Sequence, residues 1–196
     1  MKKSGMRIRV SATVPIVLGL MILTDRTGIG LITVLAALLH EVGHLFAARL
    51  LGIRAESMRL GFLGMRIDVG ERLLSYSEEW LLCAAGPLVS LVLSAVAAPL
   101  WGVWASARLF SCASLVLGIL NLLPIRSFDG GRMLECFLLS VVGTRATQRI
   151  MAACSFLFLF LLWATAVYFL LRVGDGLSLF CFSLSLLFRF FDGDEF

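Results

Sequence analysis

The sequence predicts an all-α polytopic membrane protein with about six transmembrane helices and a small membrane-edge β-hairpin between the second and third. Three observations carry this expectation. Hydrophobic residues make up 60% of the 196 residues and charged ones only 15%, against about 25% charged in a soluble domain. Apolar stretches long enough to cross a bilayer recur, separated by short segments that carry arginines. Between two of them, residues alternate apolar and polar with the period of a strand. The chain reads as a single membrane domain over residues 1–196, without room for a sizeable soluble module. Its net charge of +4 is scattered among the membrane flanks, so no nucleic-acid partner is expected and the lipid bilayer is.

Taken in order, residues 10–24 form the first expected span, behind Lys2, Lys3, Arg7 and Arg9. No small-residue cleavage site follows it, which argues against a secretory signal. The second span is 28–52, and the third is 80–104, opening at Trp80. The fourth is 108–125. The fifth, 150–171, is rich in Phe and Leu, and its Phe156, Phe158 and Phe160 are expected to face lipid. A sixth, 176–191, is short and interrupted by Arg189. Asp129 to Gly143 is too short to cross and reads as an interfacial or re-entrant helix. Met58, Leu60, Phe62, Met65, Ile67 and Val69 alternate with Arg59, Gly61, Arg66 and Asp68, which predicts the hairpin. That hairpin is either a structural cover or an edge on which an extended peptide pairs.

Basic residues in short loops set the orientation. The N-terminus holds four, the loop after span two holds Arg54, Arg59, Arg66 and Arg72, and the loop after span four holds Arg126, Arg132, Arg145 and Arg149. The opposite connections hold Arg26, Arg108 and Arg172. The N-terminus is therefore expected in the cytoplasm, with the chain multi-pass in the cell membrane. The five cysteines lie in apolar surroundings with no Cys-x-x-Cys pair and read as small buried hydrophobes.

Span two contains both histidines of the chain, His40 and His44, with Glu41 between them. Residues i and i+4 share one face of a helix, so the two imidazoles can grip one zinc ion, and Glu41 stands close enough to handle the proton of an attacking water. The alternative is a histidine pair packed between helices, with Glu41 bonded to a neighbour. Lipid weighs against that alternative. An ionisable group near the centre of a span costs roughly 2.5–3.5 kcal/mol, and here three occur in five residues. A catalytic zinc needs a third protein ligand, and with no histidine left this is a carboxylate or a thiolate. Asp129 lies on the His44 side of the bilayer, in a break made by Pro124, Gly130 and Gly131. On these residues alone it is equally well an N-cap of the helix beginning at Gly130.

His40-Glu41-Val42-Gly43-His44, together with Asn121-Leu122-Leu123-Pro124-Ile125-Arg126-Ser127-Phe128-Asp129-Gly130-Gly131, resembles the site-2 protease family of intramembrane zinc metalloproteases. The resemblance is clearest over spans two to four. It implies that His40, His44 and Asp129 bind Zn2+, that Glu41 is the catalytic base and acid, and that Asn121 holds the substrate or the oxyanion. With no PDZ domain, the chain is similar to the stage IV sporulation protein FB subgroup, which implies a membrane-associated substrate, a sigma factor precursor, with inhibitory membrane proteins as further candidate partners. Some of that subgroup carry a CBS domain, for which no room remains here. Ser90 stands where the family motif Gly-Pro-x-x-Asn has asparagine, and Arg126 and Ser127 stand where prolines are common, which predicts a looser loop. Two other classes fit parts of the pattern: a catalytically silent metal-binding membrane scaffold and a metal transporter. Glu41 argues against the first, and the lack of a chain of ligands across the bilayer against the second.

Overall fold

The computed structural model describes residues 7–10, 28–53, 57–61, 64–68, 74–172 and 176–192. The chain divides into two compact units, Met1–Leu122 and Leu123–Phe196. The first contains β1 (Arg7–Val10), α1 (Ile29–Leu50), β2 (Ser57–Gly61), β3 (Gly64–Asp68), α2 (Tyr76–Ala97) with a 3-10 turn at Ala98–Leu100, and α3 (Ala105–Asn121). The second contains α4 (Asp129–Val141), α5 (Thr144–Arg172) and α6 (Leu177–Asp192).

Helix α1 begins behind Gly28 at φ 75 and ends where its backbone turns left-handed at Gly52, φ 64. There the Ile53 amide donates to the Ala48 carbonyl at 2.9 Å and the Gly52 amide to Arg49 at 3.2 Å. This is the Schellman arrangement, which satisfies the carbonyls a helix end leaves open. Ile53 then folds back onto Ala48 and Leu82 in a small buried cluster. Helix α2 starts with a capping box: Ser75 Oγ accepts from the Glu78 amide, and the Glu78 carboxylate accepts from the Ser75 amide. Glu78 thereby has a structural task at the start of the helix.

Helices α1, α2 and α3 pack against one another. Gly43 is what lets α1 and α2 approach. A Cβ there would stand 2.9 Å from the Ala85 carbonyl oxygen and 2.9 Å from Val89 Cγ2. Between α2 and α3, Ser111 Oγ donates to the Ser94 carbonyl at 2.8 Å and meets Ser94 Oγ at 3.1 Å, both serines being buried. In lipid such hydroxyls gain a partner that the acyl chains cannot offer. Strands β2 and β3 are antiparallel, pairing Ser57 with Asp68 and Gly61 with Gly64. Strand β1 adds to β2 in parallel, giving the order β1-β2-β3.

In the second unit, Gly143 at φ 76 separates α4 from α5. Helix α4 packs on α5, and α6 packs on α5. Phe156 meets Phe160 of its own helix, and Phe190 and Phe191 of α6, with ring centroids 6.1–6.3 Å apart. Its ring thus serves helix packing as well as the lipid contact expected for it.

Among the described residues, three helices are long and apolar enough to cross a membrane: Ile29–Leu50, Tyr76–Leu100 and Thr144–Arg172. Ala105–Asn121 and Leu177–Phe191 are shorter apolar helices. Residues 11–27, most of the first expected span, lie outside the described residues. Several expected boundaries shift. Span three gives up its helix at Ala97, with Pro99 in the 3-10 turn that follows. Span four stops at Asn121, three residues before Pro124, whose ring disfavours continuing the helix. Span five begins six residues early at Thr144, where Thr147 Oγ1 donates to the Gly143 carbonyl at 2.8 Å.

Gly43→Ala is expected to destabilise the α1–α2 contact by about 1–3 kcal/mol. Thermal unfolding in detergent checks this, with Gly102→Ala as control, since a Cβ at Gly102 meets nothing within 4 Å.

Candidate metal centre

The two histidines sit one helical turn apart on the face of α1 that packs on α2, and they are 4% and 8% exposed. Each ring is held from behind. His44 Nδ1 lies 2.8 Å from the Leu82 carbonyl oxygen, which can only accept, so this nitrogen carries the proton. His40 Nδ1 lies 2.9 Å from Ser90 Oγ. A neutral imidazole has one donor and one acceptor nitrogen, so His44 Nε2 keeps its lone pair. With His40 donating to Ser90 in the same way, both Nε2 lone pairs point into one space.

The two Nε2 atoms are 3.3 Å apart, with the rings edge to face at 79°. With His40 in that tautomer the two lone pairs repel, and a cation between them turns the repulsion into two bonds. The rings therefore fit a metal: each has its rear nitrogen occupied by an outer partner and its front nitrogen turned inward. Gly86 keeps the space open. A Cβ on Gly86 would stand 2.8 Å from His40 Nε2 and closer still to His44 Nε2. Leu82, Gly86 and Ser90 follow one another at four-residue intervals, so one face of α2 supplies the acceptor, the gap and the hydroxyl. Pro87 lies inside α2 and removes one amide donor from the turn beside Leu82.

Glu41 follows His40 in α1 and is half-buried. Asn121 is the last residue of α3, and its side-chain amide donates to the Leu117 carbonyl at 3.0 Å, on its own helix. This bond uses one of the two amide hydrogens, and the second remains a donor. Asp129 is the first residue of α4, and the cap position falls to Phe128, with no side-chain capping bond. The carboxylate of Asp129 stands in the first turn, where its charge suits the positive end of the helix.

The loop leading to Asp129 is tightly held. Ile125 is fully buried, and the Phe128 amide donates to its carbonyl at 2.8 Å. A Cβ on Gly131 would collide with that same carbonyl, so only glycine lets the loop lie across the first turn of α4. Arg126 adds a backbone bond to Ser155 and an ion pair with Glu135. The looseness expected from the missing prolines is thus made good by contacts that Arg126 itself supplies.

The first unit supplies the two imidazoles of His40 and His44, and the second begins its first helix with the carboxylate of Asp129. Two imidazoles and a carboxylate are a zinc donor set that leaves a fourth position open. The sequence model of peptidase family M50 matches residues 96–165, which include Asn121 and Asp129. Rip3 of Mycobacterium tuberculosis, named as a zinc metalloprotease, is 36% identical over 120 residues in strains Erdman and H37Rv. Both findings point to the M50 metalloproteases. The Rip3 match covers 56% of this chain and 30% of the relative, so the chain spans under a third of the curated relatives it matches. A solved structure, the site-2 protease from Methanocaldococcus jannaschii, superposes with a TM-score of 0.64 at 23% identity, over 100% of this chain and 94% of that one. That likeness shows that the two chains share a fold. Zn2+ is the cofactor the M50 family implies, and the donors present here suit it.

Sequence reasoning identified the putting together of His40 and His44 but not their outer partners. Ser90 read as a departure of doubtful purpose, and Leu82 acts through its backbone, which no side-chain pattern reveals. The available signal was the four-residue spacing of Gly86, Ser90 and Ser94 on α2. Gly86→Ala is expected to remove bound zinc while the protein remains folded. Metal content of the purified protein by atomic emission, beside its unfolding temperature, checks both halves.

Proposed function

We propose that the protein is an intramembrane zinc metalloprotease that hydrolyses a peptide bond of a membrane-associated protein near the cytoplasmic face. The observation that carries this reading is the pair of buried Nε2 atoms, each fixed from its rear nitrogen, inside an apolar helix. His40, His44 and Asp129 would hold the zinc, which when bound polarises a carbonyl and lowers the pKa of water toward about 7. Glu41 takes a proton from the attacking water and passes it to the leaving amine nitrogen as the peptide C–N bond breaks. Asn121 offers its amide to the substrate or to the developing oxyanion.

The substrate must be unwound at the cleavage point, because a helix engages its carbonyls in its own hydrogen bonds. Strand β3 is an edge strand among the described residues, and an extended peptide can pair with such an edge. The arginine distribution supports a cytoplasmic N-terminus and six spans in a bacterial cell membrane. His44 lies six residues, about 9 Å along the axis, from Leu50 at the end of α1, which supports a metal set below that membrane surface. The sporulation subgroup, and with it a sigma factor precursor, rests on the sequence resemblance alone. Inhibitory membrane proteins are proposed as partners on the same footing.

The reading competes with a metal-binding scaffold that cleaves nothing, and one experiment separates them. The protein is co-expressed with candidate membrane-tethered precursors, and cleavage and metal content are measured for wild type and variants. Glu41→Gln is expected to abolish cleavage with zinc retained; equal cleavage by both would remove Glu41 from the chemistry. Asp129→Ala is expected to lower zinc occupancy, and unchanged metal content would exclude it as a ligand.

A further inference from the structure

The loop between Asn121 and α4 carries two contacts that the chemistry above does not use. The Arg126 amide donates to Ser155 Oγ at 3.1 Å, and Ser155 is 1% exposed on α5. The Arg126 guanidinium donates to Glu135 Oε1 at 3.1 Å, with both side chains a little over a quarter exposed. One residue therefore ties the loop to two helices, to α5 by its backbone and to α4 by its side chain. Glu135 lies six residues after Asp129, about 9 Å along the helix axis.

The remaining constraints on this segment come from the backbone. Ile125 is sealed in the interior, its carbonyl accepts from Phe128, and Gly131 admits the loop across the start of α4. These fix where the loop crosses α4, and the Arg126 links hold it from two further sides.

We infer that Arg126, Glu135 and Ser155 form a clamp that presets Asp129 for metal binding, making Arg126 and Glu135 positioning residues for the third ligand. The inference rests on the reading of Asp129 as a zinc ligand. A ligand on a loop that must be ordered at binding costs affinity, and a loop already held does not. Partners outside the ligands themselves typically change metal affinity by about 10–100-fold. The ion pair is over a quarter exposed, so the low end of that range applies.

The test measures zinc affinity of the detergent-purified full chain by competition with a chelator. The proteins are wild type, Glu135→Gln, Ser155→Ala, the exchange Arg126→Glu with Glu135→Arg, and Asp129→Ala. Glu135→Gln and Ser155→Ala are each expected to weaken zinc binding about tenfold. The exchange, which restores the pair in reverse, is expected to bring affinity back to within about twofold of wild type. A merely structural salt bridge would move the unfolding temperature and leave the affinity of the folded protein alone, and that result overturns the clamp. So does wild-type affinity in Glu135→Gln, or an exchange variant no better than Glu135→Gln. If Asp129→Ala binds zinc as wild type does, the ligand reading fails and the clamp falls with it. If Asp129→Ala loses zinc while Glu135→Gln does not, the clamp alone fails.

Discussion

Two imidazoles must be kept turned the same way inside an apolar helix, and the first unit is arranged around that demand. Polar rings at such a depth are costly unless every nitrogen has a use. Here the rear nitrogens are used by Leu82 and Ser90, and the front nitrogens converge at 3.3 Å. The close approach of α1 and α2 follows from this, because neither acceptor can reach a ring if the helices stand further apart. Gly43 and Gly86 allow that approach at the two places where a side chain would block it.

The second unit answers a different difficulty. Asp129 begins a helix directly after a break in the chain, a location with few hydrogen bonds of its own. The break is stabilised by burial of Ile125, by the glycine at 131 and by the links from Arg126. Histidines within a helix inherit rigidity from its hydrogen bonds. A carboxylate at a helix start has to obtain it from contacts made by the residues around it.

Much of the frame was legible from sequence because its signals are local. The i, i+4 spacing of His40 and His44 fixes a shared face for any helix, and Gly28, Gly52 and Gly143 mark termini through the left-handed backbone they adopt. Pro124 announces the end of α3, although the helix stops sooner than an apolar count suggests. What escaped notice depends on pairing between distant residues. Arg7–Val10 reads as the basic flank of a span and instead adds a parallel strand to β2, 50 residues further on in register. Ser90 touches His40 across two helices, and Arg126 touches Glu135 across a turn, and no one-dimensional period encodes either meeting. Loss of two prolines at 126 and 127 looked like a loss of stiffness only because the contacts replacing them are tertiary.

The two histidine supports differ in kind, and the difference bears on how such a protein can drift. The partner of His44 is a peptide oxygen, present whatever amino acid occupies position 82, so mutation there leaves that support in place as long as the helix keeps its path. The partner of His40 is a hydroxyl, and a single codon change removes or alters it. Natural variation can therefore retune the electron-donating strength of one ligand while the other is insulated from it.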